Sequence, residues 1–132
     1  MERLFVDSSA WLSLANRADS DHEEVSRLLA SFPGRLVTSN LVFAETVTLA
    51  RHRLGHRAAL TIGNALRDPD RVDMVRVTVA DEEAAWKLFG ERADKEYSLA
   101  DCASFVLMRR LGIRGAVALD ADFRREGFEA VP

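Results

Sequence analysis

Five short apolar runs, at 4–6, 36–38, 74–77, 116–119 and 128–131, are spread along the chain, with longer helical patterns between the early ones. Those patterns cover 9–17, 21–31, 40–54, 57–67, 81–95 and 99–111. The runs are continuously apolar rather than alternating, which is how strands read when both faces of a sheet are covered. Strands alternating with helices build a parallel sheet through crossover connections. The expected fold is therefore α/β: a three-layer α/β/α sandwich with a central, mostly parallel sheet of about five strands. "SFPG" after Leu29 should stop the second helix, and Gly112 after Leu111 should cap the last long one.

The 132 residues suit one domain, 1–132, with a core large enough to need no staples. No apolar run approaches the roughly 18–20 residues of a membrane helix, and "MERLFV" is no signal peptide. The single cysteine, Cys102, excludes an intrachain disulfide framework and suits a reducing cytoplasm. Net charge is −3, so any contact with nucleic acid must use local basic patches. "RHRLGHR" (51–57), "RRLGIR" (109–114) and Arg124–Arg125 are the candidates, and each also reads as a solvated helix end.

In a parallel sheet the loops at the carboxyl ends of the strands form the usual binding edge. Asp7 follows the run at 4–6, and Asp120 follows the run at 116–119, with Asp122 two residues on. A helix that follows a strand starts on the same edge. This places Glu45, in the second turn of 40–54, and Asp101, in the first turn of 99–111, beside them. Asp81, Glu82 and Glu83 open another helix on that side, but there the helix dipole accounts for acids. The surroundings set the first group apart. Glu45 lies among Leu41, Val42 and Leu49, Asp101 opens a run with no charge up to Met108, and Asp7 and Asp120 end apolar strands. Carboxylates against apolar surface are costly unless paired or metal-bound. No lysine or arginine is placed to neutralise all four, and an oxygen-only set favours Mg²⁺ or Mn²⁺ over zinc.

Each residue also has a purely structural reading. Ser98 with Asp101 makes a helix N-terminal box, Asp7 with Ser8 and Ser9 a cap cluster, and "DAD" at 120–122 a turn that satisfies its own backbone.

Taken together the segments resemble the PIN domain family, and within it the small toxins of the VapC type. "FVDSSAW" resembles the opening strand-Asp-Ser motif, "TSNLVFAE" the second segment with Glu45 in the acidic place, "DKEYSLADCASF" the third with Asp101, and "AVALDADFRREGFEAVP" the closing one. The resemblance spans nearly the whole chain. It implies a Mg²⁺- or Mn²⁺-dependent endoribonuclease, commonly a homodimer, inhibited by an antitoxin encoded alongside. Asp7, Glu45 and Asp101 take the three best-matched acidic places; the fourth falls to Asp120 or to Asp122, which stands before the Phe. Ser9 matches a small hydroxyl residue that helps arrange the site. Asp7 and Asp101 would be principal ligands, with Glu45 and Asp120 completing the shell. Hydrolysis would leave a 5′-phosphate and a 3′-hydroxyl. The alternative is a PIN fold that binds RNA or protein without cutting.

Other classes fit less well. A haloacid dehalogenase-like phosphotransfer site wants a second Asp where Ser9 stands and a later lysine, absent after Lys95. No glycine-rich loop follows the first run, as a dinucleotide site would need. His52 and His56 have the spacing of helical zinc ligands, but Gly55 lies between them. Trp11, Trp86 and the phenylalanines read as core or dimer interface.

Overall fold

The computed structural model describes residues 2–132. Strands β1 (Arg3–Val6), β2 (Arg35–Ser39), β3 (Val72–Val75), β4 (Gly115–Val117) and β5 (Glu129–Val131) form one sheet in the order β3-β2-β1-β4-β5. Every pairing is parallel, so the sheet is parallel throughout rather than mostly so. Helices α1 (Ser8–Ala15) and α2 (His22–Ser31) link β1 to β2, and α3 (Asn40–Leu54) and α4 (His56–Leu66) link β2 to β3. The chain then returns past β1 through α5 (Val79–Glu91) and α6 (Leu99–Leu111), and α7 (Asp122–Arg125) joins β4 to β5. Right-handed crossovers put helices on opposite faces when strands are added in opposite directions. Here α1–α4 pack among themselves and α5 packs on α6, giving the three layers.

The central strand is almost wholly apolar and inaccessible: Phe5 and Val6 are fully buried, as are Val37, Ala116 and Val117 in the neighbouring strands. Trp11 lies in the core, with its indole N–H directed at Thr38 Oγ1 at 3.4 Å. Beneath α6 and α7, Phe105 meets Tyr97 and Phe123 edge-on, with ring centroids 5.1 and 5.0 Å apart, and stacks on Phe128. Gly112 ends α6 with φ 69°, the left-handed cap expected of it.

Three features differ from the sequence-based expectation, in β3, in β4 and at Asp81. β3 lies two residues earlier than 74–77, because the Val77 N–H donates to Asn40 Oδ1 at 2.7 Å and leaves the ladder. β4 ends at Val117, and Leu119 turns away to donate its N–H to Ser9 Oγ. Trp86 is 64% exposed and stacks on the exposed Phe89, outside the core. Asp81 is a buried partner rather than a simple dipole acid. It closes a capping box with Thr78 and receives two 2.8 Å hydrogen bonds from Arg110. Arg110 is nine residues along α6 from Asp101, about 13 Å at helical rise, so Asp81 stands apart from the other acids. His52 and His56 fall on different helices, which removes their shared face.

Candidate active site

From β1, additions to the sheet run one way to β2 and β3; from β4 they run the other way to β5. The boundary between β1 and β4 is thus the switch point, where chains leave in opposite directions and open a crevice. Asp7 and Asp120 flank that boundary, and the Asp7 N–H still donates to Val117 O at 3.0 Å, extending the ladder up to the acid itself.

Asp7 is the N-cap of α1. Its Oδ2 accepts from the Ser9 hydroxyl at 2.9 Å and, more weakly, from the Ser9 N–H at 3.4 Å. Ser9 Oγ in turn accepts the Leu119 N–H at 3.1 Å, so one hydroxyl joins the end of β1 to the segment that carries Asp120. Asp101 is the third residue of α6, and its Oδ2 accepts the Ser98 N–H at 2.9 Å while the Asp101 N–H donates to Ser98 Oγ at 3.0 Å. The structural readings of both residues therefore hold, and each employs only one carboxylate oxygen. Capping orients these carboxylates. It does not neutralise them.

Electrostatics separates this group from the remaining acids. Asp7 is 3% exposed, and burial, reinforced by the charges of Asp101 and Asp120 against the opposing Ser9 hydrogen bonds, pushes its carboxyl up to about 7. Burial raises Glu45 as well, followed by the charge of Asp101. Asp101 is raised by burial, opposed by the Ser98 hydrogen bonds and reinforced by Asp120 and Asp122. Asp81 and Glu126 move the other way, each chiefly because an arginine hydrogen-bonds to it. Among the described residues no lysine or arginine forms a salt bridge with Asp7, Glu45, Asp101 or Asp120. Asp122 is also raised, by burial and by the charge of Asp120, although Arg125 holds it at 3.0 Å. Asp120, whose Oδ1 accepts the Asp122 N–H at 3.0 Å, acts on both Asp7 and Asp101, and Asp122 acts on Asp101 as well.

The structure thus brings Asp7, Glu45, Asp101 and Asp120 to one rim, with Asp122 at its margin and Ser9 beneath. An uncompensated buried carboxylate among like charges lacks a cation. Among the described residues no three Asp, Glu, His or Cys groups are already drawn together as a ligand cluster. Oxygen donors of this kind suit Mg²⁺, which takes one or two carboxylates and retains several waters. The donor set fits the ion. Removing the Ser9 hydroxyl should loosen Asp7 without unfolding the chain: Ser9→Ala is expected to cut turnover about tenfold to a hundredfold, with little change in substrate KM and a melting temperature within a few degrees of wild type.

Sequence reasoning did not single out Arg67 and Arg76. They line a groove with Asn40, Phe43 and Met74, and the one available signal was the lack of acids between Thr46 and Arg67.

Comparison with known proteins bears on the whole of this arrangement. The chain is 43% identical over 128 residues to the 23S rRNA-specific endonuclease VapC20 of Mycobacterium tuberculosis, covering 97% of each chain. It is 30% identical over 117 residues to ribonuclease VapC26 of the same organism, covering 89% of this chain and 86% of that one. The crystal structure of Mycobacterium tuberculosis VapC20, described as a sarcin–ricin loop cleaving toxin, superimposes with a TM-score of 0.90 at 42% identity, over 95% of both chains. VapBC2 from Rickettsia felis, bound to a DNA fragment from its promoter, shares the fold with a TM-score of 0.71 at 11% identity, over 98% of this chain and 97% of that one. The PIN domain family profile matches residues 4–129, and the chain belongs to that family.

Proposed function

We propose that this chain is a divalent-metal-dependent endoribonuclease, the toxin of a toxin–antitoxin pair, acting on a looped RNA such as the sarcin–ricin loop of 23S rRNA that its relative VapC20 cleaves. The observation that carries this reading is the buried Asp7, paired with no lysine or arginine among the described residues and set beside Asp101 and Asp120 at the switch point. A divalent cation held there by Asp7, Asp101, Glu45 and Asp120 would supply Lewis-acid stabilisation of charge on the phosphate and would lower the pKa of water. The chain's own residues hold the carboxylates in place. Ser9 fixes Asp7, Ser98 fixes Asp101, and Glu45 and Asp120 close the rim. Apolar strands beneath Asp7 keep water from the inner side, so charges there act through a low dielectric.

The family and its toxin relatives support an antitoxin partner. The exposed Val79, Trp86 and Phe89 of α5 offer apolar surface to a second copy in a homodimer. Among the described residues no helix is long and apolar enough to cross a membrane, and a lone buried Cys102 suits the cytoplasm.

The test is cleavage of a hairpin RNA carrying the sarcin–ricin loop sequence, with Mg²⁺, Mn²⁺ or EDTA, and with the ends of the products mapped. Metal-dependent cutting at one or a few positions, leaving 5′-phosphate and 3′-hydroxyl ends, is the expected result. Binding without cutting under any metal would instead mark a PIN-fold binding module.

A further inference from the structure

Residues 46–67 contain four arginines, Arg51, Arg53, Arg57 and Arg67, and no aspartate or glutamate, in a chain whose net charge is −3. They make up the later part of α3, all of α4 and the residue that caps it. Among the described residues none of the four pairs with a carboxylate, whereas Arg35, Arg92, Arg109, Arg110 and Arg125 all do. A helix hairpin that is merely solvated would mix both signs along its surface. This one carries positive charge at its tip and at the end of α4 and no negative charge.

Its position makes the charge useful. α3 starts on the rim at the end of β2, and Arg53 and Leu54, at its far end, line a groove of about 210 Å³ together with Asp19, Ser9 and Leu119. Those last two are hydrogen-bonded to each other, and Ser9 is bonded to Asp7. The hairpin therefore reaches along the rim instead of running straight back under the sheet. Arg51, Arg53 and Arg57 are exposed at its tip. Toward β3 a second groove, about 230 Å³, is lined by Arg67 and Arg76 beside Phe43 and Met74. The Arg67 guanidinium lies 5.8 Å from the centre of the Phe43 ring. Cations thus flank the acidic rim on both sides of α3.

We propose that the α3–α4 hairpin is the arm that grips the RNA backbone, with Arg51, Arg53 and Arg57 holding phosphates beside Asp7 and Ser9, and Arg67 and Arg76 receiving the strand toward β3. The inference rests on the nuclease reading and names how that site obtains its substrate. A rim of carboxylates repels RNA, and the arm supplies the local attraction that the acidic chain as a whole lacks. Phosphate contacts of this kind release counterions, so they appear in the salt dependence of binding.

The test uses the same hairpin RNA, with binding followed by fluorescence anisotropy in EDTA across a series of KCl concentrations and cutting measured in parallel with Mn²⁺. The double variant Arg53→Gln/Arg57→Gln should bind about tenfold or more weakly near physiological salt. Its plot of log affinity against log salt should be shallower by about 0.7–0.9 per arginine removed. Arg67→Gln should do the same by one contact. Arg114→Gln, at the opposite edge of the sheet where β4 begins, should leave both affinity and slope unchanged. If the arm variants bind and cut as wild type does, the arm is not an RNA contact, while the nuclease reading stands. If wild type neither binds nor cuts the RNA, both readings fall.

Discussion

Asparagine in place of Asp7 should lower RNA cleavage about a thousandfold or more, while making the metal-free protein more stable above neutral pH. The two effects have one origin. The Asp7 carboxyl, pushed up to about 7 by burial and by its acidic neighbours, binds its proton more tightly in the folded chain than in the unfolded one. Its contribution to stability is full below the ordinary carboxylate range and is lost as pH rises through about 7. Glu45 and Asp101 are raised as well and act in the same sense. Asp81 and Glu126 are lowered by their arginines, so their stabilisation is lost at the acid end instead. In EDTA the unfolding free energy of wild type should fall from mildly acidic to alkaline pH, by an amount on the order of a few kcal/mol. In Asp7→Asn most of that slope should vanish. Saturating Mn²⁺ should restore wild type at high pH by mass action, about 2.7 kcal/mol at a hundred times Kd, and leave the variant nearly unmoved. A flat wild-type profile in EDTA, or equal stabilisation of both proteins by Mn²⁺, would remove Asp7 from the metal site.

Phe105→Ala is expected to be the most damaging single core change, costing about 3–5 kcal/mol in urea unfolding. Phe105 is fully buried and touches aromatic rings from three other segments, Tyr97 before α6, Phe123 in α7 and Phe128 before β5. It also stands one turn below Asp101, so the cavity would open directly under the rim. Cleavage should therefore drop even at temperatures where the variant remains folded. Leu60→Ala, at a site 54% exposed, should change stability by no more than about 0.5 kcal/mol. A loss at Phe105 under about 1 kcal/mol would mean that the cluster tolerates collapse.

The parts of the molecule legible in the sequence are those where local chemistry and global packing agree. α3 and α6 begin and end at the expected residues because Ser39 and Ser98 cap their starts and Gly55 and Gly112 their ends. β1 and its Asp-Ser-Ser exit read correctly because a buried strand followed by a capping acid allows few alternatives. Local patterns could not show what distant partners decide. The choice of Asn40 as acceptor for Val77 set β3 two residues earlier than expected. The pairing of Asp81 with Arg110 joined two helix ends that are far apart in the chain. α7, only four residues long, is too short for any periodicity to register. The contact between Asp122 and Arg125 depends on a side-chain direction that no sequence pattern reveals. The path of the hairpin along the rim depended on tertiary packing. Its lack of acids was visible from the start.

The placement of β1 between β2 and β4 has a consequence for the order in which activity arises during synthesis. Strand β1 and Asp7 leave the ribosome early, but their partners in β4, Ala116 and Val117, follow about a hundred and ten residues later. Until then one edge of the central strand is bare, Ser9 has no Leu119 N–H to accept, and Asp120 does not yet exist. A nascent chain can thus form the helices around Glu45, and later Asp101, without assembling the four-acid rim. Topology thus defers completion of the rim until the closing strands have been made.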